Sequence, residues 1–471
     1  MIDQSFSAEN FEKIFNIENR KGNINKDTLP EGYIDTILKV KEKKNEISQH
    51  LHDYKEGQLT KEQFIAKREE CDQHIEMLNL EKEKILYEYL KTISEEVNSS
   101  KFKFTFQVGK RHEKPTYELV SSVSQFYAIK QLQYNINKTF KVKQSDRYRI
   151  LKQIKLLLSD GFPKIIIRTD IESFYESIPQ QRLREVISKN TLLTHKSKSF
   201  IYSIIEEYDK LKDKSETPGC GVPRGVGISA YLSELYMRDI DSKIKSIDNL
   251  TFFARYVDDI FIVITPSCVN EHIDYVDIIR KILCEYGLKM KEAKTETIEL
   301  LRDADIRGTI KYLGYCFHVC TGPNHCNVKV HLSDTKRTKY KDRLKKAFDD
   351  YNVNSKHNEK IARRLLFNRL RFLSRNTNLV NSKKGIKVGV YYSNSLLDVS
   401  DLASLRAING YLKEMVHTNL HPHCTVSFDV EKLKRQIMSQ FDFCDGFINK
   451  KFHTYTTDEL IKINHIWRNE A

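Results

Sequence analysis

Two places in the sequence set carboxylates against apolar runs, and they constrain the fold more than any other feature. Ile165, Ile166 and Ile167, followed by Arg168 and Thr169, read as a buried strand that ends at Asp170. Further along, TFFARY and IFIVI read as two strands joined by a turn that carries Asp258 and Asp259. Adjacent aspartates repel each other and gain nothing from a dry core. A divalent cation offsets that cost. Magnesium prefers hard oxygen ligands in near-octahedral geometry, and carboxylates with substrate phosphates supply them. The pattern therefore predicts that Asp170, Asp258 and Asp259 meet at strand ends as a site for Mg2+, with Mn2+ as a substitute.

The rest of the chain alternates between helical and strand-like texture. Residues from Tyr33 to about Tyr54 read as a long helix, broken at Glu56-Gly57-Gln58. Thr60 and Gln63 form a capping-box pattern that starts a second helix. Phe64, Cys71, Leu78 and Ile85 recur at seven-residue spacing along it, as in a short antiparallel coiled coil. From Lys101 the pattern turns strand-like (FKFTFQV, PTYELV), and helices follow at 127–140 and 147–158. One helical stretch is expected over about 181–208, another over 229–244 after a glycine-rich loop, and a third over 270–286. A strand pair is expected around 295–300 and 310–319. Strands and helices mixed without strict alternation give an α+β chain. The expected divisions are a helical hairpin over 1–100, a central region over 101–331, a basic helical segment over 332–380 and a small helical domain over 381–471.

Charge narrows the partners. The net charge is +14, which favours a polyanion. Between Lys329 and Val390, 18 Lys/Arg stand against 5 Asp/Glu, a surplus of 13 that nearly equals the net charge of the whole chain. Such segregation suits a nucleic-acid surface better than a generally solvated one. The helices expected at 336–351 and 359–375 carry this charge. Leu365, Leu366, Leu370 and Leu373 form an apolar stripe on the second, and Arg363, Arg364, Arg369, Arg371 and Arg375 recur along it. No segment has the length and apolarity of a membrane span, the first residues lack a secretory pattern, and the nine cysteines show no regular pairing distances. A soluble intracellular protein with reduced thiols and no membrane partner is the expectation. Cys316, His318, Cys320, His325 and Cys326 cluster in sequence but match no zinc-finger spacing, so buried strand thiols are the simpler reading.

Five short motifs, in order over about 150 residues, carry a family resemblance. Tyr256-Val257-Asp258-Asp259 resembles the catalytic box of reverse transcriptases, motif C. Asp170 to Pro179 (DIESFYESIP) resembles their motif A, and Gly221 to Leu232 (GVPRGVGISAYL) their motif B. Lys289 to Thr295 (KMKEAKT) is similar to motif D, and Tyr312-Leu313-Gly314-Tyr315 to the primer-grip motif E. The resemblance implies a right-hand polymerase with fingers, a palm whose antiparallel sheet carries the aspartates, and a helical thumb, with helical extensions at both ends. It implies metal at Asp170, Ile171, Asp258 and Asp259, and RNA-directed DNA synthesis from dNTPs by a two-metal mechanism. Tyr175, five places after Asp170, falls at the steric-gate position, where a bulky ring excludes a ribose 2′-hydroxyl. Phe174 supports the nucleotide pocket. Arg224 stands where a glutamine is common and is expected, with Gly225 and Gly227, near the incoming nucleotide. Lys294 is the candidate for assisting pyrophosphate departure. Lys110, Arg111, Arg147 and Arg149 are candidate triphosphate clamps, with Arg147 first. Tyr312, Leu313 and Gly314, with Arg363, Arg364, Arg369 and Arg371, are expected to hold template and primer.

The flanking segments YAIKQLQYNI, SDRYRILKQI, PRGVGISAYLSELY and GVYYSN are similar to bacterial defence-associated reverse transcriptases, in particular the first enzyme of type 3 systems. That resemblance implies an antiviral role in the bacterial cytoplasm and a structured non-coding RNA as template. It also implies a companion reverse transcriptase, with a homo- or hetero-oligomeric state left open.

Overall fold

The computed structural model describes residues 2–20, 23–111, 114–120, 122–142, 145–213, 217–266, 273–300, 307–321, 326–379, 386–421 and 429–470. The chain divides into two compact units, and both are discontinuous in sequence. One comprises 1–144, 172–241 and 283–289; the other comprises 145–171, 242–282 and 290–471. The sequential divisions expected at 100, 331 and 380 do not coincide with these units.

The first unit is mainly helical. A helix over Ala8–Arg20 precedes the long pair Glu31–Lys55 and Lys61–Asn98. The capping box at Thr60 forms as expected, with the Thr60 side chain on the Gln63 amide and the Gln63 side chain on the Thr60 amide. Tyr54 stacks on Phe64 at 5.4 Å near the tip, and buried Cys71 lies 3.8 Å from Glu46, so the two helices run antiparallel. Strands β1 (Phe106–Arg111) and β2 (Lys114–Leu119) form an antiparallel hairpin. Helix Val123–Phe140 sends Asn135 into the interior, where its amide donates to the Gln4 carbonyl at 3.0 Å and to the Ser197 hydroxyl at 3.2 Å. The single helix expected over 181–208 is two helices, Gln180–Lys189 and His195–Leu211. The break comes where Thr194 caps the second one by accepting from the Ser197 amide.

The second unit holds two antiparallel sheets. The first contains β3 (Lys164–Asp170), β4 (Leu250–Tyr256), β5 (Asp259–Ile264) and β6 (Glu296–Leu300), in the order β4-β5-β3-β6. Its two central strands, β5 and β3, are rich in isoleucine, as strands covered on both faces require. The second sheet contains β7 (Arg307–Tyr312), β8 (Tyr315–Thr321) and β9 (Cys326–Leu332) in sequential order; the single strand expected over 310–319 is the β7–β8 hairpin, and β9 is additional. Helices Asp334–Asn354 and Glu359–Ser374 follow, close to the expected basic pair. One continuous apolar core runs from Phe261 and Phe317 through Phe348 and Leu366 to Leu405, Phe443 and Trp467. The last ninety residues share that core with the sheets and the basic helices, so they are not a separate domain. Among the described residues no helix is long and apolar enough to cross a membrane.

The basic helix Glu359–Ser374 does not present all its arginines to solvent. Leu366, Leu370 and Leu373 are buried as the stripe predicted, but Arg369 is buried with them at 2% exposure. Its guanidinium pairs with Asp350 on the preceding helix and donates to the Lys462 carbonyl at 3.4 Å. The expected nucleic-acid role of Arg369 is therefore corrected: it falls one position before Leu370, inside the apolar arc, and its charge is used internally. Arg364, at 77% side-chain exposure, faces outward, with its guanidinium 3.5 Å from Glu459. Arg369→Ala should destabilise the protein by about 2–3 kcal/mol, because it strands a carboxylate in a partly buried site. Arg364→Ala should change stability by less than about 0.5 kcal/mol. Paired urea denaturation curves check the contrast.

Candidate active site

Strand register brings the three aspartates together. Asp170, the last residue of β3, pairs directly with Asp259, the first residue of β5. Tyr256 of β4 also pairs with Asp259, which leaves Val257 and Asp258 as a two-residue turn. Val257 takes a φ of 61°, a conformation a β-branched side chain rarely adopts. The surroundings hold it there. Buried Arg255 donates to the Val257 carbonyl at 2.8 Å, and the Ile171 amide donates to the Asp258 carbonyl at 3.1 Å. Strain of this kind, about 1–3 kcal/mol, collects at functional turns. The result is one oxygen from each of Asp170, Asp258 and Asp259, all within 4.8 Å of one another.

Cations already lean on this cluster. Lys294 Nζ donates to Asp170 Oδ2 at 2.9 Å, and Arg168 approaches Asp259 at 3.7 Å. Tyr312 donates to the Asp259 carbonyl at 3.1 Å from beneath. Burial pushes the Asp259 carboxyl above its usual range, and the charges of Asp170 and Asp258 push it further, against the pull of Arg168 and Lys294. The hydrogen bond to Asp170 holds the Lys294 ammonium above its ordinary value. Three converging carboxylates, one of them raised by burial and by its acidic neighbours, are a donor set of hard oxygens suited to a divalent cation. Ile171 is 1% exposed, so only its main-chain carbonyl, not its side chain, is available as a ligand.

The other expected site residues divide between the units. Tyr175, Phe174, Arg224 and Gly225 belong to the first; Lys294, Arg147, Tyr312, Leu313, Gly314, Arg363, Arg364 and Arg371 belong to the second with the aspartates. Phe174 is buried at 2% and tilts against Tyr175 at 5.4 Å between ring centres. Gly225 has a φ of 96°, and a Cβ there would lie 2.8 Å from the Tyr117 carbonyl, so packing alone requires glycine. Leu313 and Gly314, at φ 42° and 76°, form the tight turn of the β7–β8 hairpin.

Two roles are corrected. Tyr312 is 1% exposed and packs on Phe261 at 4.9 Å, so its ring braces the aspartate hairpin and does not face nucleic acid. Arg147 begins helix Arg147–Ser159 and donates to the Leu313 carbonyl, which ties it to the hairpin turn and not to a fingers clamp. Beside it, burial and the Arg147 charge push Lys336 down to about 7. Lys336 also donates to the Ser393 carbonyl at 2.7 Å and lies 4.3 Å over the Tyr315 ring. Arg363 pairs with Glu359 at 3.5 Å, and Arg371 donates to Asn368 at 3.0 Å. The side chains of Lys110, Arg111, Cys320 and Cys326, and the whole of His325, lie outside the described residues. Sequence reading missed Arg168, Arg255 and Glu176. Only Arg255, basic within an apolar strand two residues before the turn, left a local signal.

Residues 107–317 match the family model described as reverse transcriptase (RNA-dependent DNA polymerase), and all three aspartates fall inside the match. The match supports a reverse-transcriptase domain. No curated protein sequence matches the chain. Among solved structures, the chain aligns with telomerases. Apo telomerase from Candida tropicalis aligns over 78% of this chain and 61% of its own, at 12% identity and a TM-score of 0.37. The same enzyme truncated from its C-terminal domain aligns over 50% and 56%, at 16% identity and TM-score 0.34. Candida albicans telomerase, in complex with a telomeric RNA fragment, aligns over 77% and 61%, at 12% identity and TM-score 0.32. The chain thus spans about three-fifths of the length of these telomerase chains.

The raised Asp259 pKa gives a signed expectation. Between the ordinary carboxylate value and the raised one, the folded state binds more protons than the unfolded state. Stability without metal should therefore fall as pH rises through that window. Asp259→Asn should flatten the dependence. Added Mg2+ should raise the melting temperature of the wild type and not of the variant; scanning calorimetry from pH 4 to 8, with and without Mg2+, reads both.

Proposed function

We propose that the chain is an RNA-directed DNA polymerase that joins deoxynucleotides to a primer end at the Asp170–Asp258–Asp259 cluster. The observation that carries this reading is the convergence of those three carboxylates within 4.8 Å, inside the segment that matches reverse transcriptases. Asp170, Asp258 and Asp259 would hold divalent cations, which would supply activation of the primer 3′-hydroxyl and compensation of charge on the departing pyrophosphate.

The chain's own residues supply position and charge. Asp170 and Asp259 are fixed by strand register, and Asp258 by the strained turn, so the carboxylates need little reorganisation to receive cations. Lys294 stands at the rim with its ammonium on Asp170. It is suited to exchange that partner for a phosphate oxygen of the leaving group. Tyr175 supplies the bulk that discriminates against a ribose 2′-hydroxyl. Around the Leu313–Gly314 turn, Arg147 and Lys336 offer two cations with no carboxylate paired to either among the described residues, which suits a phosphodiester backbone. Arg363, Arg364 and Arg371 extend the contact with duplex.

An antiviral role in the bacterial cytoplasm, a structured non-coding RNA template and a companion reverse transcriptase are proposed on the similarity of the flanking segments alone.

Primer extension on a synthetic RNA template tests the central reading. Wild-type protein with Mg2+ should add dNTPs in preference to ribonucleotides. Asp258→Asn should reduce incorporation by at least about a thousandfold, in keeping with the several kcal/mol that charge stabilisation at such sites supplies, while template–primer binding is retained. Preferred use of ribonucleotides would make the chain an RNA polymerase, and undiminished synthesis by the variant would remove the aspartates from the chemistry.

A further inference from the structure

In the first unit, the residue that follows Tyr175 holds an unexpected partner. Arg224 Nε donates to Glu176 Oε1 at 2.9 Å, and Arg224 Nη2 donates to Glu176 Oε2 at 3.1 Å. Two parallel bonds between a guanidinium and a carboxylate are the strongest and most directional form of ion pair. Both groups are withdrawn from water, with side-chain exposures of 19% for Glu176 and 33% for Arg224. The same guanidinium lies 5.8 Å from the centre of the Tyr175 ring, within reach of a cation–π contact.

The main chain around this pair is tied down on every side. The Tyr175 carbonyl accepts from the Val222 amide at 2.8 Å, and the Ile178 carbonyl accepts from the Gly221 amide at 2.8 Å. The Arg224 carbonyl accepts from the Tyr117 amide at 2.7 Å, and Gly225 fits against the Tyr117 carbonyl only because it lacks a Cβ. Arg224 therefore cannot leave Glu176 by a backbone shift without breaking contacts to β2. A cation kept ready for a triphosphate would present its donors to solvent. This one directs its Nε and one Nη into a carboxylate 48 residues earlier in the chain.

We propose that Glu176 is a positioning residue for sugar selection. By gripping Arg224 it holds the guanidinium beside the Tyr175 ring, and so fixes where that ring stands. Discrimination between deoxyribose and ribose then depends on the Glu176–Arg224 pair acting as a unit, and Arg224 is not a triphosphate ligand. This inference rests on the reading that Tyr175 faces the sugar of the incoming nucleotide.

The test is single-nucleotide incorporation by the full chain on an RNA template annealed to a DNA primer, with a dNTP and its ribonucleotide counterpart. Wild type is compared with Tyr175→Ala, Glu176→Gln, Arg224→Gln and the double Gln variant, each first shown by thermal melting to be folded. Glu176→Asp, which keeps the charge with a shorter reach, is the second route if Glu176→Gln does not fold. Glu176→Gln and Arg224→Gln should each lower the dNTP-to-ribonucleotide ratio of kcat/KM by about tenfold, the scale of one lost discriminating contact. The change should come mainly through ribonucleotide KM, and the double variant should lose no more than either single one. A loss shared equally by both sugars, additive losses in the double variant, or unchanged selectivity would overturn the proposal. If Tyr175→Ala relaxes selection and Glu176→Gln does not, the pair is excluded and the gate stands. If Tyr175→Ala leaves selection intact, the gate reading fails and the proposal goes with it.

Discussion

Opposed like charges at one strand pair organise the site. The register that sets Asp170 against Asp259 places two carboxylates side by side at the end of an otherwise apolar ladder, and the adjoining turn adds a third. Directly opposed like charges destabilise a sheet. Nothing in the packing of β3 and β5 needs them, since the isoleucines behind would hold the strands together alone. The surrounding structure is arranged to tolerate this frustration. Arg168 and Lys294 reach toward the carboxylates, Arg255 holds the strained turn, and Tyr312 supports the Asp259 main chain from the next sheet. Each of these contacts orients the cluster.

The strands that deliver the aspartates were legible in the sequence because their signals are local. An apolar β-branched run ending in a carboxylate, and an aspartate pair between two apolar runs, report strand ends whatever surrounds them. The capping box at Thr60 and the heptad spacing through Cys71 were legible for the same reason. What sequence reading could not supply were partners. Arg369 looks like its neighbours Arg364 and Arg371 until helix Asp334–Asn354 brings Asp350 against it. Tyr312 reads as part of an exposed hairpin until the core closes over its ring. Arg224 reads as an unusual residue in a nucleotide pocket until Glu176 is found beside it. In each case the deciding interaction spans 19 to 53 residues, and nothing in a local pattern encodes it. The compact units likewise differ from the sequential divisions expected, because an apolar core draws on segments from residue 150 to residue 467.

Positive charge is likewise sorted by partner and not by position along the chain. The basic segment between Lys329 and Val390 looks uniform in sequence, yet the structure divides it. Arg369 is consumed in the core, Arg363 and Arg371 have contacts within their own helix, and exposed Arg364 pairs with Glu459. Lys336, with its pKa drawn down to about 7, joins Arg147 at the Leu313–Gly314 turn. Two close cations with no carboxylate paired to them among the described residues are costly unless an anion is brought to them. On the proposed reading that anion is the phosphate backbone, and the basic helices extend the same electrostatic surface.

The account stands on cation binding by the three aspartates. Crystals grown with template–primer, an incoming dNTP and Mn2+ would locate the ions directly by anomalous scattering. The account predicts strong manganese peaks coordinated by Asp170 and Asp258, with Asp259 alongside, and their loss in Asp258→Asn. Bound substrate without manganese at those carboxylates would contradict it.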